Sequence, residues 1–391
     1  MSEADHRSEL NWITTGVEYV AGLGSVDWEA FTRYASEAKR RRDGDNLRTP
    51  CRLSPEYNMG GLNLVRRMDF QDGTRWVARI RMDDPAHSAD RLASEVHAMA
   101  LVRERSGIPV PEVYAFEAGS DNPVRAPFIL MEFVPGNTVV DTVGSDTAAR
   151  GTVPFRCKAK FYASLADIQA RMSAIRFANI GRITKRADGS YDIGPLPRLG
   201  GPFSTSDEFF KAWAREAAFP RPERFIRQRI SAHHAEEVLE SIESFPSSLS
   251  DLAKSAAFRD GPFPLCHTDL GSSNIIVDSQ FNILSVIDWE GAFAAPWEAV
   301  AFAKDLSIIP PSMEVPPRTE GDVDGERSLD RRNYIDATKK AEESRELDNC
   351  LSSTLEDPVA QHLASAIFLY EEGKIGLYGA VLDAIRNRSV L

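Results

Sequence analysis

The stretch PLCHTDLGSSNIIVDSQFNILSVIDWE, residues 264–290, contains the pattern that decides the fold. One apolar run follows Asn274, a second run ends at Asp288, and polar turn-forming residues around Phe281 separate the two. Two short apolar runs joined by such a turn are typical of a β-hairpin. With the turn centred near Phe281, the pattern predicts that Asn274 lies opposite Asp288 at the open end of the hairpin.

Three side chains that carry oxygen are expected near that end. The oxygens of Asn274 and Asp288 are hard ligands of the kind that suit Mg²⁺. Just upstream, the polar loop His267-Thr268-Asp269 is expected to hold the Asp269 carboxylate near the same cation, with His267 bracing the loop. Each residue alone is also compatible with a structural role in a turn or at a strand end. Their fixed spacing and the hairpin context together favour a functional site.

The order His267-x-Asp269-x₄-Asn274, followed by Asp288, resembles the catalytic loop and the metal-binding aspartate of kinases. With VIDWE in place of an Asp-Phe-Gly triplet, the stretch is more similar to the aminoglycoside phosphotransferase and choline-kinase-like family, and especially to fungal phosphotransferase-family proteins of unknown substrate. The resemblance spans roughly residues 55–310. It implies an α+β, bilobal, protein-kinase-like fold, with a small antiparallel N-lobe that carries one helix and a larger helical C-lobe.

Bulk properties limit the alternatives. A length of 391 residues allows two or three lobes with cores of their own. A net charge of −12 argues against a general nucleic-acid binder, because an acidic surface repels phosphate. The four cysteines lie too far apart to predict a zinc site or a disulfide framework. With no apolar signal core at the N-terminus and no run long enough to span a membrane, we expect a cytoplasmic protein without a membrane partner.

We expect three segments along the chain: an N-terminal helical extension at 1–50, a nucleotide-binding N-lobe at 51–135, and a helical C-lobe with the catalytic loop and the acceptor site at 136–391. In the extension, Ser25 or Asp27 is placed to cap an amphipathic helix. We interpret this helix as a packing or lid element, and its function stays open.

Gly60 and Gly61 precede two predicted strands, residues 65–70 and 74–80, which are separated by a turn at Asp72-Gly73. Glycines let backbone N–H groups approach a phosphate closely, as nucleotide-covering loops require. A plain turn is the alternative. The two glycines precede Arg79 and the helix that carries Glu95, and this position favours the nucleotide-covering loop.

Arg79 lies where the kinases that this chain resembles carry a lysine that contacts phosphates. Arginine keeps the positive charge and changes only the geometry, and Arg81 on the same strand face is a possible substitute. A helix predicted at 89–106 places Glu95 beside its buried stripe. Because a buried carboxylate needs a partner, we predict a Glu95–Arg79 pair. The alternatives are a surface arginine on an edge strand and a half-exposed helix glutamate.

Strands are also predicted at 111–114 and 127–134, the second broken by Pro135-Gly136. By resemblance, the end of the second strand is the linker between the lobes. We therefore assign nucleotide binding to Met131, Glu132, Phe133 and Val134, and expect the backbone of the last three to bond an adenine edge. An ordinary strand end is the alternative.

The rest of the chain is predicted to be helical, at 155–177, 207–218, 221–244, 333–352 and 358–386, with an exposed loop at 310–332. No Ser, Thr or Tyr occurs between Asp288 and Ser307, and Thr268 stands beside Asp269 where a regulated kinase has an arginine. Both features favour a constitutive small-molecule enzyme.

The sequence thus predicts an ATP- and Mg²⁺-dependent phosphotransferase that acts on a hydroxyl of a small metabolite or an antibiotic-like acceptor. Asp269 is expected to accept the hydroxyl proton, while Asn274 and Asp288 hold Mg²⁺. The alternatives are a weakly active nucleotide-binding regulatory protein, motivated by Arg79 in place of lysine, and a protein kinase. The acceptor, the choice of ATP or GTP and the oligomeric state stay open.

Overall fold

The computed structural model describes residues 26–44, 48–82, 85–143, 153–253, 260–308, 322–376 and 378–388. The alternative cap Ser25 lies outside these residues. The chain divides into two compact units. The first comprises Met1–Cys157, Thr184–Tyr191 and Thr268–Gly291, and the second comprises Lys158–Ile183, Asp192–His267 and Ala292–Leu391. Residues 268–291 therefore group with the N-terminal strands, whereas the linear boundaries expected above placed them in the C-lobe.

A five-stranded antiparallel sheet forms the centre of the first unit. Its strands are β1 (Cys51–Met59), β2 (Asn63–Phe70), β3 (Arg75–Arg81), β4 (Val113–Glu117) and β5 (Phe128–Glu132). Their order in the sheet is β1-β2-β3-β5-β4. Half-buried and buried residues alternate along β2, as a strand with one covered face requires. The strands predicted at 65–70 and 74–80 are confirmed.

Two helices cover opposite faces of this sheet. Helix α1 (Trp28–Asp43) is capped by Asp27, whose Oδ1 accepts from the Ala30 N–H at 2.8 Å. Phe31 of α1 packs in one core cluster with Phe128, while Val96 of helix α2 (Pro85–Ser106) packs in another with Ile129. Neighbouring side chains of a strand point to opposite faces, so α1 and α2 lie on different sides of β5.

The predicted hairpin is present in the first unit. Strands β11 (Ile275–Val277) and β12 (Ile283–Val286) pair antiparallel, and β6 (Asn137–Thr138), followed by helix α3 (Val139–Val143), adds a third strand beside β11. The predicted register is wrong by one residue. Ile275 faces Val286, and the Ile287 N–H donates to the Asn274 carbonyl at 2.9 Å, so Asp288 lies one residue beyond the position opposite Asn274.

The error arises in the turn. The Asp278 N–H donates to the Asn282 carbonyl at 3.1 Å, and the Asp278 side chain accepts the Asn282 N–H at 2.9 Å. These bonds centre the loop one residue before Phe281. The register also shifts between Ile276 and Val277, and alternation of apolar residues does not reveal such a bulge.

The second unit is mainly helical around a small sheet. Its strands, in sheet order, are β7 (Arg176–Phe177), β10 (Phe263–Cys266), β13 (Phe293–Ala294), β8 (Gly181–Lys185) and β9 (Tyr191–Gly194). Its helices are α4 (Phe155–Ser173), α5 (Ser206–Glu216), α6 (Glu223–Arg227), α7 (Ala232–Ala253), a 3₁₀ turn (Trp297–Ala299), α8 (Asp322–Ser344), α9 (Cys350–Glu356), α10 (Pro358–Glu371) and α11 (Tyr378–Arg388). The predicted α+β class is confirmed.

Most predicted helices of this unit are present with different ends. Those at 155–177 and 207–218 correspond to α4 and α5. The helix predicted at 221–244 is two helices, because α6 ends in a tight turn in which the Arg229 N–H donates to the Ile226 carbonyl at 3.0 Å.

Near the C-terminus, the loop predicted at 310–332 is wrong from Asp322 onward, where α8 begins, and the rest of that range lies outside the described residues. A buried ion pair explains the difference, because Asp330 of α8 lies 2.8 Å from the ammonium group of Lys158 in α4. Beyond α10, Gly373 ends the helical run with a φ of 69°, a conformation that glycine adopts without strain.

None of the described helices combines the length and the apolar composition that crossing a membrane requires.

Candidate active site

Asp269 and Asn274 are held together at one end of the hairpin. The Asn274 side-chain nitrogen donates to Asp269 Oδ2 at 2.9 Å and to the Asp269 carbonyl at 2.8 Å. A carbonyl oxygen can only accept, so the amide must present its nitrogen to Asp269, and its Oδ1 is left as the atom that can bind a ligand. Asn274 is buried, whereas Asp269 is exposed. The arrangement fixes a carboxylate that a substrate can reach.

The negative charge of the Asp288 carboxylate is only partly offset by its neighbours. Its Oδ1 is buried and has no hydrogen-bond partner among the described residues, and the Arg79 Nη1 lies 3.8 Å away. Burial raises the pKa of Asp288 to about 6, and the negative charges of Glu95, Glu290 and Asp269 add to the rise while Arg79 opposes it. The backbone of Asp288 has a φ of 61°, a conformation that costs energy in most residues and is frequent at functional sites.

The two predicted ligands are of the donor type that suits a magnesium ion. Asn274 Oδ1 and Asp288 Oδ1 are oxygen donors, and the orphaned, buried Asp288 oxygen is the kind of atom that a cation stabilises. Mg²⁺ commonly takes only one or two protein ligands and completes its shell with water and phosphate oxygens. The described part of the chain has no group of three or more His, Cys, Asp or Glu residues arranged to hold a metal.

The predicted Arg79–Glu95 pair is present. Arg79 Nη1 donates to Glu95 Oε1 at 2.7 Å, and Nη2 donates to Oε2. Glu95 is 1% exposed and Arg79 is 8% exposed. Each buried charge therefore needs the other to offset the cost of its removal from water. Burial alone would lower the pKa of Arg79, but the neighbouring carboxylates of Glu95, Asp288 and Glu290 together outweigh it and the pKa is raised. The result is a permanent positive charge at a fixed position beside Asp288.

Gly60 and Gly61 form the exposed turn between β1 and β2. The Gly60 N–H donates to the Asn63 carbonyl at 2.9 Å. A Cβ added at Gly61 would meet no atom within 4 Å, and neither glycine needs a positive φ. The fold itself therefore does not require glycine at these positions, which is consistent with the prediction that a ligand approaches the backbone there.

The predicted adenine linker is partly occupied by protein contacts. The Glu132 N–H donates to the Glu112 carbonyl at 2.8 Å, and the Glu132 carboxylate accepts the Glu112 N–H at 3.1 Å. The Glu132 N–H is therefore taken by the residue that precedes β4, while adenine binding by the backbone of residues 132–134 stays a prediction. Met131 pairs within the sheet, and Phe133 packs under the Arg75 guanidinium, 4.7 Å from the ring centroid. The Val134 N–H has no partner among the described residues.

His267 is 5% exposed and belongs to the second unit, directly before the chain passes into the first at Thr268. Its burial is compatible with the predicted bracing role. All other predicted site residues belong to the first unit.

Glu290 is a site neighbour that the sequence reasoning missed. It forms an ion pair that includes one hydrogen bond with Arg81, which the sequence suggested only as a substitute for Arg79. A signal was available in the sequence: Arg79 and Arg81 are two residues apart on a strand, and so are Asp288 and Glu290 in the DWE segment.

Residues 58–299 match the model of the phosphotransferase enzyme family. The chain therefore belongs to this family, and the family resemblance inferred from the sequence is confirmed.

Individual relatives are distant. The chain is 27% identical over 345 residues to a subtelomeric hrmA-associated cluster protein of Aspergillus fumigatus, covering 73% of this chain and 67% of that protein. It is 23% identical over 310 residues to the mitochondrial altered inheritance of mitochondria protein 9 of Eremothecium gossypii, covering 65% of this chain. The match spans only 50% of the Eremothecium protein. A macrolide 2'-phosphotransferase from Brachybacterium faecium is similar in structure, with a TM-score of 0.46, 13% identity, and coverage of 93% of this chain and 96% of that one.

Proposed function

We propose that this protein is an ATP- and Mg²⁺-dependent phosphotransferase that transfers the γ-phosphoryl group to a hydroxyl of a small-molecule acceptor. One observation carries the proposal. An exposed carboxylate, Asp269, is bonded at 2.9 Å to the amide of Asn274, and the buried oxygen of Asp288 nearby lacks a hydrogen-bond partner within the described ranges. Family membership and this arrangement support the same class of reaction.

In the proposed reaction, Asp269 accepts the proton of the acceptor hydroxyl as its oxygen attacks the γ-phosphorus. The bond from the γ-phosphorus to the bridging oxygen of ADP breaks, and ADP leaves with that oxygen. Asn274 keeps the Asp269 carboxylate oriented through its two hydrogen bonds. Because the exposed Asp269 needs only to receive a proton, no covalent intermediate on the protein is required.

The nucleotide is proposed to bind beside this pair. Asn274 Oδ1 and Asp288 Oδ1 would hold Mg²⁺, which when bound supplies positive charge against the developing charge on the phosphates. Arg79, fixed by Glu95, adds a second positive charge. The backbone at Gly60 and Gly61 is proposed to cover the phosphates, and the Val134 N–H to donate to the adenine edge.

A second candidate function is a nucleotide-binding regulatory protein with little transfer activity. Arg79 favours it, because an arginine forked onto Glu95 has committed both terminal nitrogens to that carboxylate and keeps fewer donors for phosphate than a free cation would. A protein kinase is the third candidate. It is disfavoured because the segment after Asp288 has no residue to phosphorylate before Ser307.

The test is a screen of a metabolite extract for a compound that gains a phosphoryl group in the presence of the purified protein and Mg·ATP. Asp269→Asn is the matched control, because it keeps the size of the side chain and removes the base. We expect one or a few small molecules to gain the group with the wild type only, and a parallel screen with Mg·GTP to define the donor.

The alternatives have distinct outcomes. Nucleotide binding with no phosphorylated product would support the regulatory protein, and phosphorylated proteins without phosphorylated metabolites would support the protein kinase. Either result would overturn the proposed activity.

We also propose a cytoplasmic location. Because the Eremothecium relative is named as mitochondrial, fractionation of cells that express the tagged protein should compare these two compartments directly.

A further inference from the structure

Arg81 and Glu290 form a second arginine–carboxylate pair beside the Arg79–Glu95 pair. Arg81 Nη1 is 2.7 Å from Glu290 Oε2, and Arg81 Nη2 donates to Oε1 at 2.8 Å. The side chain of Arg81 is 1% exposed and that of Glu290 is 17% exposed. One hydrogen bond and a second close contact of opposite charges hold the guanidinium and the carboxylate at a defined distance.

Arg79 and Arg81 give strand β3 two points of contact with the DWE segment, residues 288–290. Arg79 and Arg81 lie on the same face of β3, because side chains of a strand alternate between faces. Arg79 Nη1 lies 3.8 Å from Asp288 Oδ1, and Arg81 holds Glu290 two residues later. A contact at both residues specifies the position of the segment along the strand, which the longer Arg79–Asp288 contact alone would not do.

The backbone of Glu290 is also held from the other side. The Thr268 hydroxyl donates to the Glu290 carbonyl at 3.3 Å. The next residue, Gly291, has a φ of 79°, and a Cβ there would lie 3.0 Å from the same hydroxyl. Trp289 is fully buried, and its indole N–H donates to the Val286 carbonyl at 3.0 Å. Glu290 therefore connects β3, through its side chain, with the loop that carries Asp269, through its backbone.

We propose that Arg81 and Glu290 are positioning residues for the proposed phosphoryl transfer, which hold Asp288 where its Oδ1 can bind the cation. This inference rests on the proposed function. In protein kinases, placement of the equivalent aspartate is controlled by phosphorylation of the following loop. Here the Arg81–Glu290 pair supplies the placement permanently, in a segment that lacks a hydroxyl side chain up to Ser307.

The experiment measures Mn²⁺ affinity calorimetrically on full-length protein saturated with AMP-PNP, and AMP-PNP affinity separately in EDTA. Arg81→Met and Glu290→Gln should each weaken Mn²⁺ binding by about 10- to 100-fold, as loss of a residue that orients a metal ligand does. AMP-PNP affinity in EDTA should stay at the wild-type value. The double variant should be no worse than either single variant, because both changes break one contact.

Lys158→Met is the matched control, since it removes a buried ion pair with Asp330 in the second unit. It should lower the melting temperature and leave Mn²⁺ affinity unchanged. If the Arg81 and Glu290 variants behave in the same way, the pair is only structural and the inference is overturned.

Two further results keep the test decisive. If Arg81→Met does not fold, Arg81→Lys keeps the charge without the fork, and it should still weaken Mn²⁺ binding; wild-type affinity in that variant would contradict the inference. If the wild type binds neither AMP-PNP nor Mn²⁺, the proposed function itself fails, and the positioning role falls with it.

Discussion

Arg79 Nη1 lies 2.7 Å from Glu95 Oε1 and 3.8 Å from Asp288 Oδ1, so its hydrogen bonds serve the helix glutamate and Asp288 receives only its charge. Glu290 is likewise taken by Arg81. Each arginine therefore neutralises one glutamate, and the charge of Asp288 is left without a full counterpart. This shortage of positive charge at Asp288 is the physical reason to expect a cation there.

The Asn274 amide has two proposed roles: its nitrogen orients Asp269, and its oxygen binds the cation. One substitution can separate them. In Asn274→Asp, a carboxylate replaces the nitrogen that donates to Asp269. We expect Mn²⁺ affinity to be kept or increased, because a charged oxygen ligand replaces a neutral one. We expect the rate of transfer to fall by about 10- to 100-fold, because Asp269 loses the group that orients it. Mn²⁺ titration and turnover of an identified acceptor are the measurements, and an unchanged turnover rate would contradict the role of Asn274.

The sequence predicted those contacts that follow from the period of a strand or a helix. The Arg79–Glu95 pair was predictable because helix periodicity placed Glu95 beside a buried stripe, where a carboxylate needs a partner, and the kinase resemblance pointed to Arg79 on the neighbouring strand. The hairpin register was wrong because hydrogen bonds of the Asp278 side chain set the turn. Arg81 and Glu290 are 209 residues apart in the chain, and the equal spacing of Arg79 to Arg81 and of Asp288 to Glu290 indicates the pair only once Arg79 is known to lie beside Asp288.

The glycine loop offers a test that separates binding from stability. Gly61→Ala adds a Cβ that meets nothing within 4 Å and requires no positive φ, so we expect the melting temperature to stay unchanged. If the loop covers phosphates, the added methyl group keeps the backbone away from them, and affinity for Mg·ATP should fall. Thermal unfolding and nucleotide titration of the same sample measure the two effects. An unchanged nucleotide affinity would leave the two glycines as a plain turn.

Gly136→Ala is the comparison for Gly61→Ala, because a Cβ at residue 136 has no free space. Its Cβ would lie 2.7 Å from the Val277 carbonyl and 2.8 Å from a side-chain carbon of Ile276, both in β11. We expect a loss of about 1–3 kcal/mol in the free energy of unfolding, as overpacking causes. A variant as stable as the wild type would show that β6 and β11 separate easily.

The Arg79–Glu95 pair predicts a strong non-additivity in stability. Arg79→Met leaves the buried Glu95 carboxylate without its partner, which should lower the free energy of unfolding by about 3–5 kcal/mol. Adding Glu95→Leu should recover most of that loss, because the unpaired carboxylate of Glu95 is then removed. Denaturant unfolding of the single and double variants measures the effect. A double variant no more stable than Arg79→Met would show that the loss comes from packing rather than from the unpaired charge.

Asp288 should favour ligand binding at the expense of stability. Its pKa is raised from 3.8 to about 6, so the ionised carboxylate destabilises the folded state. The penalty is absent below the unfolded value, grows as the pH rises towards the folded value, and is complete above it. Asp288→Asn, which also tolerates the φ of 61°, should therefore melt higher than the wild type at pH values well above 6 in EDTA, with the gain vanishing near pH 4. Mg·ATP should then raise the melting temperature of the wild type but not of the variant. A variant that melts lower in EDTA at high pH, or that Mg·ATP stabilises equally, would remove Asp288 from the proposed cation site.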